Sequence, residues 1–257
     1  MSVFAAVRRA YTRWQAAGIH LLISMAIAAV VLAVMLGVWY PRPLFEAEGG
    51  PGLVLILIGV DVVIGPLITL IIFKSGKPGL KFDLWVIATL QLCALLYGCH
   101  VVAAVRPVFI VFVVDQFETV TPADLDPRDV AQARPEFRSY SFTGPVLVAV
   151  SFPSDPKERT DVLFSALEGG KDMRHFPKYY VPYAGYAKEA IAKGQTLEQL
   201  RKRDPKTAKI VQDYLAEAKL RASDVLYLPL KASRGWVATL IDPKSGAVVK
   251  MLLAPPE

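Results

Sequence analysis

Residues 53–73 read LVLILIGVDVVIGPLITLIIF, and this stretch decides the fold of the first part of the chain. The run is apolar and long enough to cross a bilayer, because about 20 helical residues span the ~30 Å hydrocarbon core. It nevertheless carries a carboxylate, Asp61, and a proline, Pro66. An ionisable residue in such a segment must face protein or water, so Asp61 is a candidate functional residue. Pro66 removes one backbone hydrogen bond and is expected to free the carbonyl of Val62.

One face of this helix is small or polar. Asp61, Gly65 and Thr69 recur every four residues and therefore lie on the same side, whereas the opposite side is formed by Leu, Ile and Val. We interpret this side, together with Pro66, as a surface that contacts another helix within the membrane. The three residues are called the Asp61 face below.

The partner of the Asp61 face stays open between two interpretations that do not exclude each other. Asp61 could be a buried polar tie inside the protein, and depth in the membrane then favours Tyr97 as its partner. Alternatively, Asp61 and Tyr97 could face the transmembrane helix of a partner protein. Proton relay is disfavoured, since a single carboxylate in three spans makes no obvious pathway.

Two further spans flank the central one. Residues 19–40 contain no Asp, Glu, Lys or Arg, and residues 84–105 contain only Gln91, Tyr97 and His100 as notable polar groups. Three arginines precede the first span and three lysines lie between the second and third, whereas the other loop holds only Arg42. The positive-inside rule therefore predicts that the N-terminus is cytoplasmic and that everything after the third span lies on the far side of the membrane, which in a Gram-negative cell is the periplasm.

The chain is predicted to have three parts. Residues 1–18 form a basic lead-in suited to anionic membrane lipid, residues 19–106 a three-helix transmembrane domain, and residues 107–257 a periplasmic domain. The three spans of the transmembrane domain are 19–40, 53–73 and 84–105. We expect a multi-pass membrane protein. The last part holds 21 Lys and Arg against 19 Asp and Glu, so it has no basic field suited to nucleic acid.

The periplasmic part is predicted to be an α+β domain. Its apolar runs indicate strands at 108–114, 146–152, 225–232, 235–242 and 247–254, and the run at 117–120 is interpreted as a continuation of the first strand. Periodicity and capping signals indicate helices at 155–167 and 183–193, a short one after the capping box of Thr196 and Gln199, and one from Pro205 to about 220.

No catalytic constellation is found. The sequence lacks G-x-S-x-G, H-E-x-x-H, C-x-x-C and phosphate-binding glycine motifs, and its three histidines lie far apart in the sequence. The aspartates at 124, 126 and 129 lack the rest of a calcium loop and are interpreted as a solvated turn. We therefore expect no catalytic residue, no metal site, no cofactor and no enzymatic activity.

A tyrosine cluster marks the periplasmic domain: Tyr179, Tyr180, Tyr183 and Tyr186. Tyrosine gives a large contact area at a low entropic cost, so the cluster could form a surface that recognises a protein. The alternative interpretation is packing within the core of the domain.

Four motifs resemble the type IV pilin accessory protein family of the TfpX/TfpZ type. They are V-W-Y-P-R-P-L-F-E at 38–46, G-V-D-V-V-I-G-P-L-I-T-L-I-I-F at 59–73, L-Q-L-C-A-L-L-Y-G at 90–98 and R-P-V-F-I-V-F-V-V-D-Q-F at 106–117. The order and spacing of the motifs match, whereas the likeness is weaker from about residue 121 onward. The resemblance implies an inner-membrane helper, without enzymatic activity or cofactor, for assembly or display of a cognate major pilin. It supplies no established active residues.

The resemblance, together with the helix-contact face and the tyrosine cluster, thus favours a pilus-biogenesis accessory protein. It would be a pilin-specific membrane chaperone that contacts the pilin helix and periplasmic head, with other pilus assembly components as further candidate partners. Two other classes of protein fit the sequence less well. A membrane-tethered periplasmic ligand sensor would need a larger cytoplasmic output than a short tail and a ten-residue loop. A pilin-modifying membrane enzyme would need the clustered acid, base or nucleophile that the sequence lacks.

Overall fold

The computed structural model describes residues 11–167 and 170–255, and they belong to two compact units. The membrane unit contains the described residues up to Val34 together with Gly52–Val102. The extramembrane unit contains Met35–Pro51 and the described residues from Ala103 onward. Much of the predicted basic lead-in, including Arg8 and Arg9, lies outside the described residues.

Three helices are long and apolar enough to cross a membrane: Arg13–Trp39, Gly50–Ile72 and Leu80–Val105. They confirm the three predicted spans. Each begins before the apolar run that predicts it, since a helix continues through polar residues as long as its backbone hydrogen bonds are made. The second span is interrupted by a π-helical segment, Gly59–Ile64, between two α-helical ones.

Small residues bring the spans of the membrane unit together. Ala17, Ser24 and Ala28 are the buried residues of the first span over Arg13–Val34. The third span approaches the second at Gly98, where an added Cβ would lie 2.9 Å from Leu57 Cδ1. Small side chains allow close approach of helices in lipid, where dispersion contacts and hydrogen bonds replace the hydrophobic driving force.

The extramembrane unit is built on a seven-stranded mixed sheet, which confirms the α+β class. The strand order is β4-β3-β1-β2-β5-β6-β7. The β1–β3 and β2–β5 pairs are parallel, and the other neighbours are antiparallel. The strands are β1 (Phe109–Val113), β2 (Gln116–Val120), β3 (Val146–Val150), β4 (Tyr180–Pro182), β5 (Leu226–Lys231), β6 (Trp236–Ile241) and β7 (Val248–Leu253).

Five α-helices follow β2 in the described part of the chain: Pro127–Ala131, Pro156–Leu167, Ala187–Lys193, Leu197–Arg203 and Pro205–Glu217. The Thr196–Gln199 capping box is present, and the Asp204 side chain caps the last helix by accepting from Thr207 N. Buried apolar residues on both sides of the sheet, such as Val111 and Leu228, form the core. The capping signals read from sequence therefore mark true helix starts.

The sequence suggests that 117–120 could continue the first strand, but the chain reverses between them. β1 and β2 form an antiparallel hairpin in which Val113 pairs with Gln116, so the turn is formed by Val114 and Asp115. Val114 has φ 58°, an unfavourable conformation for a β-branched residue. Two-residue hairpin turns require such positive φ values, and no glycine or asparagine marks this one.

The segment between the first two spans contributes to the extramembrane core, although the sequence predicts only a loop there. It contains a short helix, Leu44–Ala47, and both terminal residues are buried in the main apolar cluster. Arg234 N donates to Ala47 O at 2.9 Å, and Ser233 N donates to Glu48 Oε2 at 3.4 Å. These bonds join the segment to the hairpin between β5 and β6.

Candidate functional site

The π-helical segment of the second span places an unpaired carbonyl inside the membrane unit. Gly65 N–H bonds to Val60 O, five residues back. The next bond in that register would join the carbonyl of Asp61 to the N–H of Pro66, which proline lacks. Gln91 of the third span supplies the missing donor, since its Nε2 lies 3.3 Å from Asp61 O. The freed carbonyl is therefore that of Asp61, and not that of Val62 as the regular helix register predicts.

Gly65 leaves the space that this side-chain bond requires. A Cβ at Gly65 would lie 1.8 Å from Gln91 Nε2, well inside van der Waals contact. Pro66 is buried beside it. The spacing of glycine and proline after Asp61 thus has a local cause: the proline removes a donor, and the glycine admits its replacement.

Thr69 is bonded to the first span. Its Oγ1 lies 2.6 Å from His20 Nδ1, and Thr69 is almost fully buried. Together with the Gln91 contact, this bond places the Asp61 face against the other two spans of the same protein. Asp61 and Thr69 are therefore both covered within the membrane unit.

The Asp61 side chain is 8% exposed, and its Oδ1 has no hydrogen-bond partner among the described residues. It lines a cavity of about 240 Å³ between the three spans, with His20, Ser24 and Gln91 among otherwise mainly apolar side chains. Polar groups without partners in a low-dielectric setting are costly, so a hydrogen-bond donor that entered this cavity beside Asp61 would be stabilised. We call it the Asp61 groove.

Tyr97 does not contact Asp61. Its side chain is 71% exposed on the surface of the third span, and no hydrogen bond joins the two residues in the part of the chain that the structure describes. The expected Asp61–Tyr97 tie is wrong. Asp61 lies at the middle of Gly50–Ile72, and Gln91 lies near the middle of Leu80–Val105, so depth measured from the true helix ends indicates Gln91.

The four tyrosines do not share one surface. Tyr180 is fully buried on β4, and its hydroxyl donates to the carbonyl of Arg174. Tyr183 is also buried and donates to Gly246 O at 2.7 Å. Tyr179 and Tyr186 are partly buried. Tyr180 and Tyr183 therefore stabilise the core, and only the outer pair remains available for a contact with another protein.

Burial and ion pairing set the protonation of this region. Burial raises the pKa of Tyr183 to about 12, so its hydroxyl stays protonated to a higher pH than that of an exposed tyrosine. The Glu158 carboxylate accepts hydrogen bonds from Lys178 Nζ at 2.6 Å and Tyr179 Oη at 2.5 Å. These two donors lower the pKa of Glu158.

The aspartates of the predicted solvated turn have protein partners. Asp124 accepts from the Thr121 hydroxyl at 2.8 Å, and Asp129 accepts from Lys171 Nζ at 2.6 Å. Asp126 accepts from the guanidinium of Arg128, which lowers the pKa of its carboxyl group. Among the described residues, no group of three His, Cys, Asp or Glu side chains has an arrangement that could hold a metal ion.

Comparison with known proteins identifies the class. The family described as fimbrial assembly protein FimB matches residues 8–49, a range that includes the V-W-Y-P-R-P-L-F-E motif. Two fimbrial assembly proteins of Dichelobacter nodosus, from serogroups I and E1, are each 31% identical to this chain over 229 residues, covering 87% of the chain and 88% of the relative. No solved structure matches the chain.

A third relative, the Dichelobacter nodosus fimbrial assembly protein of serogroups C1 and C2, is 34% identical over 119 residues, which are 45% of this chain and 90% of the relative. The chain therefore belongs to the fimbrial assembly protein family. The resemblance to type IV pilin accessory proteins is confirmed, and the protein has a role in fimbrial biogenesis that involves pilus components.

Proposed function

We propose that this protein is a non-enzymatic membrane chaperone for its cognate major pilin, which it contacts within the bilayer and in the periplasm. The observation that carries the proposal is the Asp61 groove: a cavity of about 240 Å³ lined by all three spans, with a buried carboxylate oxygen that has no partner among the described residues. Family membership supports the biological setting, and we propose that side chains of the pilin transmembrane helix enter this groove.

In this proposal, the Asp61 face acts through the groove that it shapes. Gly65, Pro66 and Thr69 fix the second span against its neighbours, and they thereby hold Asp61 at the floor of the groove. A pilin helix would bring a hydrogen-bond donor to Asp61 and apolar side chains to the walls. Tyr97, exposed on the third span, would contact the same helix or surrounding lipid from outside the groove.

The extramembrane domain would contact the pilin head. We propose that the N-terminus is cytoplasmic and that the domain is periplasmic, in the inner membrane, on the distribution of Lys and Arg between the loops. Tyr179 and Tyr186 are the two members of the tyrosine cluster with side chains partly exposed for such a contact. Other pilus assembly components could bind the same surface.

The test compares strains that carry a deletion of this protein, complemented with wild type or with Asp61→Asn. We expect wild type to restore surface pili and to co-purify the major pilin from detergent extracts. Asp61→Asn keeps the size of the side chain but weakens the acceptor, so it should reduce both. Full piliation in the deletion strain would contradict the chaperone role, and normal co-purification with Asp61→Asn would contradict the role of the groove.

A further inference from the structure

Arg106 of the extramembrane unit lies between two aromatic rings, and its Nε–H has no acceptor among the described residues. Its Cζ lies 5.1 Å from the centre of the Trp39 ring and 5.8 Å from that of Phe142. The residue is 9% exposed, yet its Nε has no hydrogen-bond partner, and no ion pair joins it to a carboxylate, within residues 11–167 and 170–255. A buried guanidinium with unused donors is unusual, because burying a charge costs several kcal/mol unless it is paired.

The neighbouring indole provides a second unused donor. Trp39 Nε1 is buried and has no hydrogen-bond partner among the described residues. The Trp39 and Phe142 rings meet edge to face, with centroids 5.8 Å apart. The site therefore presents a cation and a neutral N–H donor side by side, with aromatic walls on two sides.

The chain places this pair of donors at the depth of the lipid headgroups. Trp39 is the last residue of the first span, and Arg106 directly follows the third. Tryptophan and arginine are typical of the membrane–water interface, where rings reach the acyl boundary and guanidinium groups reach phosphate. Phe142 is 62% exposed, so its ring is open to contact with acyl chains at that depth.

The loop that carries Phe142 lies beside the end of the first span, where an ideal Cβ at Gly144 would be in ordinary van der Waals contact with Val38 O, at 3.6 Å. Phe142 is part of the site because its ring packs edge to face on Trp39 and lies 5.8 Å from the Arg106 guanidinium. We propose that Trp39, Arg106 and Phe142 form a binding site for the phosphate group of a phospholipid, with Arg106 and the Trp39 N–H as donors.

The site is tested by native mass spectrometry of the full chain in detergent, titrated with phosphatidylglycerol. Arg106→Gln should lower the apparent affinity about tenfold, the effect expected from losing a charge-assisted hydrogen bond. Arg42→Gln is the matched control, because Arg42 is an exposed arginine that follows the first span shortly after Trp39, and it should bind like wild type. Arg106→Lys keeps the charge without the planar fork and should give an intermediate affinity, which serves if Arg106→Gln fails to fold.

Two further titrants separate the sources of phosphate. Wild type and Arg106→Gln should have the same affinity for diacylglycerol with the same acyl chains, because this lipid has no phosphate. Glycerol phosphate should bind wild type at least tenfold more weakly than phosphatidylglycerol does. Equal affinity of wild type and Arg106→Gln for phosphatidylglycerol would overturn the proposal. The proposal would also be overturned if glycerol phosphate bound as tightly as the lipid. It would fail as well if Arg106→Gln lost a co-purifying protein while its affinity for phosphatidylglycerol stayed unchanged.

Discussion

Substitution of Gly65 by alanine tests whether the Gln91 bridge holds the second and third spans together. The new Cβ would lie 1.8 Å from Gln91 Nε2, so the amide must rotate away from Asp61 O. The carbonyl cannot recover a donor from Pro66, and leaving a buried group unpaired costs about 1–3 kcal/mol. Side-chain hydrogen bonds in membrane proteins average ~0.6 kcal/mol and reach ~1.7 kcal/mol. We therefore expect Gly65→Ala to have a free energy of unfolding about 1–2 kcal/mol lower than that of a control glycine-to-alanine substitution that leaves the bridge intact.

The matched control is Gly59→Ala in the same helix, where an added Cβ meets nothing within 4 Å. Both substitutions gain about 1 kcal/mol of helix propensity, so their difference isolates the displaced bridge. The free energy of unfolding of the full chain is measured by titrating mixed micelles with dodecyl sulfate. When Gln91 is also replaced by alanine, Gly65→Ala and Gly59→Ala should change the free energy of unfolding by the same amount. Equal stability of Gly65→Ala and Gly59→Ala in the wild-type background would refute the bridge.

Three other substitutions test separate contacts. Leu44→Ala should destabilise the extramembrane domain by about 2–5 kcal/mol, because Leu44 is fully buried in its core. Glu46→Ala, at an exposed position of the same helix, should leave the stability unchanged. The rate of proteolysis measures the stability of both variants. Thr69→Val should cost about 0.6–1.7 kcal/mol in micelle unfolding through loss of the His20 bond, whereas Thr69→Ser should keep it. The pKa of Tyr183 is raised to about 12, above the ~10 of a tyrosine in the unfolded chain. Protonated Tyr183 therefore contributes its full stabilisation of the folded domain below pH 10, and this contribution is lost as the pH rises towards 12. Tyr183→Phe should reduce the fall in melting temperature over this pH range.

The spans and the order of elements in the extramembrane domain were predictable because hydropathy and capping are local signals. The run at 53–73 is too apolar for a soluble domain, and Thr196 with Gln199 marks a helix start by spacing alone. The turn at residues 242–246 is also marked by a local signal, the sequence D-P-K-S-G. Asp242 accepts from the N–H groups of Lys244 and Ser245, as turn chemistry predicts.

The partners of the Asp61 face could not be predicted because they depend on tertiary register. A shift of one residue in the helix moves the unpaired carbonyl from Val62 to Asp61, and the replacement donor lies thirty residues further along the chain. The same limit explains the buried tyrosines. Tyr180 is covered because the three-residue strand β4 joins the sheet, and so short a strand bounded by prolines gives little sequence signal.

Site-directed photo-crosslinking in piliated cells tests the central proposal most directly. A benzoylphenylalanine at Leu92, an exposed residue on the wall of the Asp61 groove, should crosslink to the major pilin. The same group at Ile71, an exposed residue of the second span that does not line the groove, should crosslink mainly to lipid. A pilin adduct at Leu92 that Asp61→Asn weakens is the result predicted here. Equal pilin adducts at both positions, or none at Leu92, would contradict recognition of the pilin helix by this groove.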